Sequence, residues 1–292
     1  MEDPLLTSQN HLTRNLASDW SAFWAMVRKE LILMARYPVN FVASFGQVFL
    51  IVAIFTLGSK TFSVNLNNPS ASATSSGNPA GVVIYGFILF MFVSDTLWTI
   101  GYNIRHEQVQ GTLEQLYLSP ASKFASLVSR VANTLLWTGL LCIAASILLV
   151  FMFGALPMEN IGLGAYILVM GLAGTFGIGF AFAALTLRIR EAAQTLANLL
   201  QFAFLILCAN FFPFSALPPF ILVFSRLIPL SYVVDAFRST MMGYPPGFPE
   251  LAPIGVEIVI VTAFGLIMPL LGYYLYRKAE DQARRSGSLS SF

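Results

Sequence analysis

Few residues of this chain belong to types that carry catalytic or metal chemistry. The 292 residues include two histidines, His11 and His106, and two cysteines, Cys142 and Cys208. Both cysteines lie in apolar stretches, where free cysteine behaves as a small hydrophobic side chain, and this argues against a disulfide framework or a metal site. No H-E-x-x-H, C-x-x-C or G-x-S-x-G pattern occurs. A metal-dependent or nucleophilic active site therefore has nothing to build on.

A nucleotide-binding site is equally unsupported. A phosphate-binding loop needs Gly-Lys followed by Ser or Thr, because the loop amides and the lysine cradle the phosphates. None of the lysines follows a glycine; they are Lys29, Lys60, Lys123 and Lys278. We therefore expect no catalytic residue, no metal and no cofactor on this chain, and any ATP chemistry would belong to another polypeptide.

Asp95 is the acidic residue placed well inside an apolar stretch. A carboxylate near the bilayer midplane costs about 2.5–3.5 kcal/mol on insertion scales, which favours a face turned to protein or water. Ser94, Thr96 and Thr99 are polar neighbours. Two interpretations are open: a residue that lines a translocation path, or a structural aspartate at a helix contact.

Two amides in another apolar stretch raise the same question. Asn198 and Gln201 would either face a path or form hydrogen bonds between helices. We keep both as candidate path residues beside Asp95.

The polar run 104–120 holds the most informative local pattern. Gly111 is a poor helix-interior residue, and Thr112 followed by Gln115 matches a capping box that restarts a helix. Pro120 then ends this short helix. The spacing predicts a helix that presents Glu107 and Glu114 to a cytosolic partner, although an ordinary solvated loop is the alternative.

The amino-acid composition indicates that most of the chain lies in a lipid bilayer. Hydrophobic residues make up 57% and charged residues only 10%, whereas a soluble domain carries about 25% charge. A hydrocarbon core of about 30 Å needs about 20 apolar residues per helix. The sequence predicts an all-α membrane protein with six transmembrane helices, at 39–59, 81–103, 131–153, 163–187, 192–212 and 254–276. The net charge of +2 argues against nucleic-acid binding.

The segments around these spans complete the predicted organisation. Residues 1–19 form a polar tail, and 20–37 an amphipathic helix in the membrane interface, or else a cytosolic packing helix. Its apolar stripe consists of Trp20, Phe23, Trp24, Val27, Leu31 and Met34. Residues 38–276 form one membrane domain. Within it, 213–253 is broken by eight prolines and predicts a re-entrant helix pair. Residues 277–292 form a polar tail.

The distribution of cations predicts the orientation. With both termini cytoplasmic, thirteen of the sixteen Lys and Arg residues lie inside, and only Lys60, Arg226 and Arg238 lie outside. The first 18 residues lack the apolar core of a signal peptide. We expect a multi-pass protein of a prokaryotic cytoplasmic membrane.

One predicted span carries a ridge of small side chains. Gly171, Thr175, Gly179 and Ala183 are spaced four apart on one helix face. In lipid, such a ridge lets helix backbones approach closely, so we interpret it as a packing surface.

Three stretches together resemble a known family. The run from Glu107 to Pro120, with GTLEQL at 111–116, is similar to the cytoplasmic coupling segment of type-2 permeases of ATP-binding-cassette exporters. FFPFSALPP at 211–219 and LIPLSYVVDAFR at 227–238 agree with that family in order and spacing. One departure is that Leu227 and Ile228 stand where an asparagine is frequent before the proline.

This resemblance implies a half-transporter of the drug-exporter-like branch. Two permease chains, expected as a homodimer, would line a path for a drug-like, lipid-like or other amphiphilic substrate. Two separate ATPase chains would bind ATP and Mg. Glu107, Gly111, Thr112 and Glu114 would sit against the ATPase and transmit its closure, and the re-entrant helices would close the path on the outer side.

Three other functions are alternatives to this one: polysaccharide export, secondary transport and membrane-embedded catalysis. Export of a lipid-linked polysaccharide would use the same mechanism. A gradient-driven secondary transporter would be expected to show inverted repeats and paired ionisable residues near the midplane, and a membrane-embedded enzyme would need a catalytic cluster. The sequence offers neither pattern.

Overall fold

A computed structural model describes residues 79–102, 123–153, 158–186 and 192–285, with scattered helical positions between 24 and 50. In these ranges the secondary structure is entirely helical. The elements, numbered from the first helix described in full, are α1 (Pro79–Thr96) with a π-helical turn (Leu97–Tyr102), α2 (Lys123–Phe153), α3 (Ile161–Thr186), α4 (Ala193–Leu207), a 3₁₀ turn (Phe214–Ala216), α5 (Pro219–Leu227), α6 (Pro229–Met241) and α7 (Ile254–Arg285).

Several described helices are long and apolar enough to cross a membrane. Three meet that condition alone, over Gly81–Thr99, Ile161–Thr186 and Ile254–Gln282. The pair α5 and α6 meets it jointly but bends by 96° between the two helices. Thr134–Ile147 and Ala193–Leu207 are shorter apolar helices. The chain is therefore a multi-pass helical membrane protein.

The predicted spans agree with these helices in position but less well at their ends. α3 matches 163–187 to within two residues, whereas α2 begins eight residues before the predicted 131. α7 continues as helix to Arg285, beyond the predicted end at 276. With 32 residues it is about 48 Å long at 1.5 Å per residue, so the predicted polar tail begins as helix.

The predicted fifth span, 192–212, is too long, because α4 ends at Leu207. Ala209 adopts φ 47°, its N–H donates to the Ile206 carbonyl, and the Asn210 N–H donates to the Leu205 carbonyl. This pair of bonds is the Schellman arrangement that terminates helices. Alanine in the left-handed region is strained, so the surrounding structure must hold this turn in place.

Helices α3 and α7 form the most extensive helix pair of the described chain. Their backbones cross closely at Gly177 and Gly272: a Cβ on Gly272 would overlap the Gly177 carbonyl, and one on Gly177 would overlap the backbone of Met268. Glycine is the residue that permits this approach. Gly171, on the predicted ridge, packs instead against Val233 of α6. The crossing lies on another face of α3.

Helix α6 lies at the centre of one end of the bundle. It contacts α3, α7 and α1, and eleven of its thirteen residues are buried. Leu230, Val233, Val234 and Phe237 join the largest apolar core. This burial places the polar side chains of α6 inside protein.

Candidate functional site

The first polar site lies between α1 and α2 and is called the aspartate cluster: Asp95, Thr99 and Thr138. The Thr138 hydroxyl donates to Asp95 Oδ2 at 2.5 Å, and the Thr99 hydroxyl donates to Oδ1 at 3.3 Å. Thr138 is fully buried, whereas Asp95 is half-buried. A distance of 2.5 Å is typical of a hydroxyl bonded to a charged carboxylate.

The π-helical turn directly follows this carboxylate. A π turn widens the helix by one residue per turn and is often found at functional sites. Here it carries Trp98, whose indole N–H donates to Gln201 Oε1 at 3.1 Å. The turn therefore lies between α2, reached through Asp95, and α4, reached through Trp98.

The structure brings two of the three predicted path residues into one neighbourhood. Asp95 and Trp98 are three residues apart, and Trp98 contacts Gln201. Asn198 is half-buried on α4, one turn before Gln201. The bond from Trp98 to Gln201 joins the π-helical turn to α4. This agrees with the alternative interpretation of Gln201, a hydrogen bond between helices.

Two further hydroxyls are buried on the helices that form the aspartate cluster. Thr96 of α1 and Thr134 of α2 are shielded from solvent, and neither hydroxyl has a hydrogen-bond partner. Thr134 lies one turn before Thr138 on α2. The interior next to Asp95 therefore contains two hydroxyl groups, those of Thr96 and Thr134, in addition to the two that bind Asp95.

The second polar site is called the arginine cluster: Asp235 and Arg238 of α6, Glu250 of the following loop, and Glu257 of α7. The fully buried Arg238 donates to the carbonyls of Ala209 at 2.8 Å and Phe212 at 3.3 Å. These carbonyls follow the C-terminus of α4, where a cation is favourable. Arg238 thus holds the strained turn after α4.

The acidic members bind main-chain N–H groups. Asp235 Oδ2 accepts from the N–H groups of Glu250 at 2.8 Å and Leu251 at 2.7 Å. Glu257 Oε1 accepts from Ala252 at 3.3 Å. The Glu250 carboxylate accepts from the N–H groups of Phe214 at 3.1 Å and Ser215 at 2.6 Å. The cluster therefore joins the 3₁₀ turn, α6, the 242–253 loop and α7.

A glycine of α1 completes this arrangement. A Cβ on Gly86 would overlap the carbonyl oxygen of Asn210 and would approach an Arg238 nitrogen to 3.0 Å. The absent side chain lets the turn after α4 lie directly on α1. Six segments of the chain meet around Arg238.

The other predicted site residues lie outside the described residues. These are Glu107, Gly111, Thr112 and Glu114 of the coupling segment. In the part of the chain that the structure describes, no three His, Cys, Asp or Glu side chains are grouped so as to hold a metal ion.

Sequence reasoning missed the arginine cluster. Arg238 was counted among external cations, but it is fully buried and binds backbone carbonyls, so it carries no weight in a count of loop charges. Glu257, in the first turn of α7, is likewise fully buried. The available signal was an Asp and an Arg three residues apart within an apolar helix that starts at Pro229.

The two sites suit different roles. The aspartate cluster offers a half-buried carboxylate, and the neighbouring Trp98 and Gln201 add an indole and an amide. Together these groups can contact polar or cationic groups. In the arginine cluster the side chains are already bonded to the backbone of neighbouring segments. That cluster fixes the shape of one end of the bundle.

Comparison with known proteins gives one family. The family model described as ABC-2 family transporter protein matches residues 47–274. A search of curated proteins finds no match.

Proposed function

Because the chain belongs to the ABC-2 family of transporter proteins, we propose that it is the permease subunit of an ATP-driven exporter for amphiphilic substrates. The match spans the described helices from α1 into α7 and most of the predicted membrane domain. This family assignment is the observation that carries the proposal. ATP hydrolysis belongs to a separate ATPase chain, since the permease sequence has no phosphate-binding loop.

The proposed topology has six spans with both termini in the cytoplasm of a prokaryotic cell. We assign α1, α2, α3, α4 and α7 to the second to sixth spans. The helical positions from 39 to 50 are consistent with the first span. We assign α5 and α6 to a re-entrant pair on the outer side. The 96° bend between them and the burial of α6 against protein support this assignment, since broken backbone in lipid must be packed on protein.

The translocation path is proposed to run beside the aspartate cluster. Asp95, Asn198 and Gln201 are polar and half-buried, and they lie on helices joined through the π-helical turn. An accessible carboxylate there can attract a cationic or polar part of the substrate. Two permease copies, as a homodimer, would line the complete path.

A direct test of the path uses Asp95→Asn. We expect this variant to insert and assemble normally but to lose most of its transport of a cationic amphiphile, because the amide has no negative charge. Asp281→Asn is the matched control, since Asp281 is exposed on α7. Transport by Asp95→Asn at the wild-type rate across pH would remove Asp95 from the path.

The coupling segment 104–120 is proposed to contact the ATPase through Glu107, Gly111, Thr112 and Glu114. Replacing Glu107 by Ala or Gly111 by Val should lower substrate-stimulated ATP hydrolysis while leaving membrane insertion unchanged. Glu159→Gln, which alters an exposed carboxylate in another loop, serves as the control. Normal stimulation in the assembled Glu107 and Gly111 variants would contradict the coupling role.

The ATP-driven mechanism itself is tested in proteoliposomes that contain the permease and a co-purified ATPase. Transport should require ATP and should persist when ionophores collapse ion gradients. Transport that needs a gradient but no nucleotide would instead identify a secondary transporter.

A further inference from the structure

Two carboxyl groups of the arginine cluster are placed side by side in the protein interior. Asp235 and Glu257 are both fully buried. They accept hydrogen bonds from three consecutive main-chain N–H groups, those of Glu250, Leu251 and Ala252. Each carboxyl therefore lies against the same short stretch of backbone.

Each carboxyl also has one oxygen left over. Asp235 Oδ1 and Glu257 Oε2 are buried, and neither receives a bond from any N–H or hydroxyl donor. The two side chains are close enough to influence each other. A hydrogen bond between two carboxyl groups requires a proton on one of them.

The charge balance leads to the same conclusion. The charged groups that interact with the pair in the described chain are Arg238, which faces Asp235, and Glu250, which faces Arg238. One guanidinium cannot neutralise two buried carboxylates, and an uncompensated buried charge is strongly unfavourable. Glu250, the third carboxyl group of the cluster, is half-buried and supplies no positive charge.

We propose that Asp235 and Glu257 form a buried proton-binding site, with one proton held between Asp235 Oδ1 and Glu257 Oε2. The proton belongs to Glu257. Asp235 accepts two N–H bonds of 2.7 and 2.8 Å and faces Arg238, all of which stabilise its anionic form. Glu257 accepts only a single bond of 3.3 Å, and its place in the first turn of α7 adds only a small preference for an anion. Its anionic form is therefore less well stabilised than that of Asp235.

The proton joins α6 to the first turn of α7 across the 242–253 loop. Its loss would leave two adjacent anions on these helices, and their repulsion would act against the packing of α6 on α7. An unfolded glutamate has a pKa of about 4.3. The stability that this proton contributes should therefore be fully present below that pH and should fall as the pH rises from there until the pair has lost its proton. The inference goes beyond the proposed transport function and does not depend on it.

The test compares the purified full-length wild type with Glu257→Gln and Asp235→Asn. Glutamine copies the shape of a protonated glutamate, and its N–H can donate to Asp235. We expect the wild-type Tm to fall as the pH rises from mildly acidic through neutral to alkaline values, because the unfolded chain releases this proton at lower pH than the folded one. Glu257→Gln should lose that fall while keeping a Tm close to that of the wild type at neutral pH and a higher one than the wild type at alkaline pH. Asp235→Asn removes the counter-charge of Arg238 and should lower Tm at both pH values.

Infrared difference spectra provide a readout of the proton itself. In a detergent without ester groups, the wild type minus Glu257→Gln spectrum at neutral pH should contain a carboxylic-acid C=O band. The control Glu159→Gln alters an exposed carboxylate and should produce no such band and no change in the pH profile. A missing band together with a Tm of Glu257→Gln as low as that of Asp235→Asn would show that Glu257 is ionised and would overturn the proposal.

Discussion

The aspartate cluster and the arginine cluster are both polar sites inside a largely apolar bundle, but they are bonded differently. Asp95 receives its bonds from the side chains of Thr99, in the π-helical turn, and Thr138, on α2. Arg238 and Asp235 instead bind main-chain groups of irregular segments. Side-chain bonds can be exchanged by a rotamer change, whereas main-chain bonds hold the path of the chain.

This difference separates function from architecture. Breaking the arginine cluster should unfold one end of the bundle, since buried backbone groups would lose their partners. Breaking the aspartate cluster should leave the fold intact and alter what the protein contacts. The predictions below test that separation, beginning with the largest effect.

Replacing Arg238 by Met should have the largest effect on stability. The carbonyls after α4 would lose their donors and Asp235 would lose its counter-charge. Removing one partner of a buried charged pair costs about 3–5 kcal/mol. Thermal unfolding in detergent would measure the loss. Arg226→Met alters an exposed arginine on the neighbouring helix and should change stability little; equal losses in both variants would contradict the role of Arg238.

Replacing Gly86 by Ala should come next. The new methyl group would overlap the Asn210 carbonyl and push the turn away from α1, at a cost of about 1–3 kcal/mol. Gly139 of α2 has nothing within 4 Å of its Cβ position, so Gly139→Ala should stabilise its helix by up to about 1 kcal/mol. In thermal unfolding, the Tm of Gly86→Ala should lie below that of the wild type and the Tm of Gly139→Ala should lie above it.

Replacing Glu250 by Ala should have a smaller effect. The N–H groups of Phe214 and Ser215 would lose their acceptor, and the loss of such a cap costs about 0.5–2 kcal/mol. Chemical denaturation would measure it. Because Glu250 is only half-buried, water can replace part of the interaction. A loss as large as that of Arg238→Met would show that the cluster acts as one indivisible unit.

Replacing Thr138 by Val should have the smallest effect on folding. The variant removes one donor to Asp95, worth about 0.5–1.5 kcal/mol. Thr134→Val is the control, because its hydroxyl has no partner and its removal should be neutral or stabilising. We also expect Thr138→Val to alter transport, and Thr134→Val to leave it unchanged. A large loss of stability in Thr138→Val would show that the aspartate cluster, like the arginine cluster, stabilises the fold.

Much of the helical layout could be predicted from sequence. The run of apolar residues placed α3 within two residues of its observed ends, because the bilayer requires a minimum length of apolar helix. The prolines marked the broken region correctly, and α5 and α6 each begin at a proline. Pairing of Asp95 with hydroxyl groups was also foreseeable, since Thr99 lies one turn away.

The rest depended on contacts between distant segments. Asn210 is the single polar residue between Leu207 and Phe212, and no glycine or proline marks the early end of α4 at Leu207. Its termination relies on Arg238, which lies 31 residues beyond Leu207 in the chain. The ridge on α3 was predicted as a packing surface without a named partner, and Gly171 packs on Val233 of α6. The close approach of α3 to α7 lies at Gly177 instead, because only the partner helices select among the small residues of α3.

By itself, then, the sequence determined the apolar helices, the family and the absence of a phosphate-binding loop, because segment length, composition and local motifs are properties of consecutive residues. Only the tertiary structure decided that Asp235, Arg238, Glu250 and Glu257 meet, and that the indole of Trp98 reaches Gln201. The cost of burying a charge depends on the groups that surround it, and here those groups come from separate segments: the turn after α4, α6, the 242–253 loop and α7.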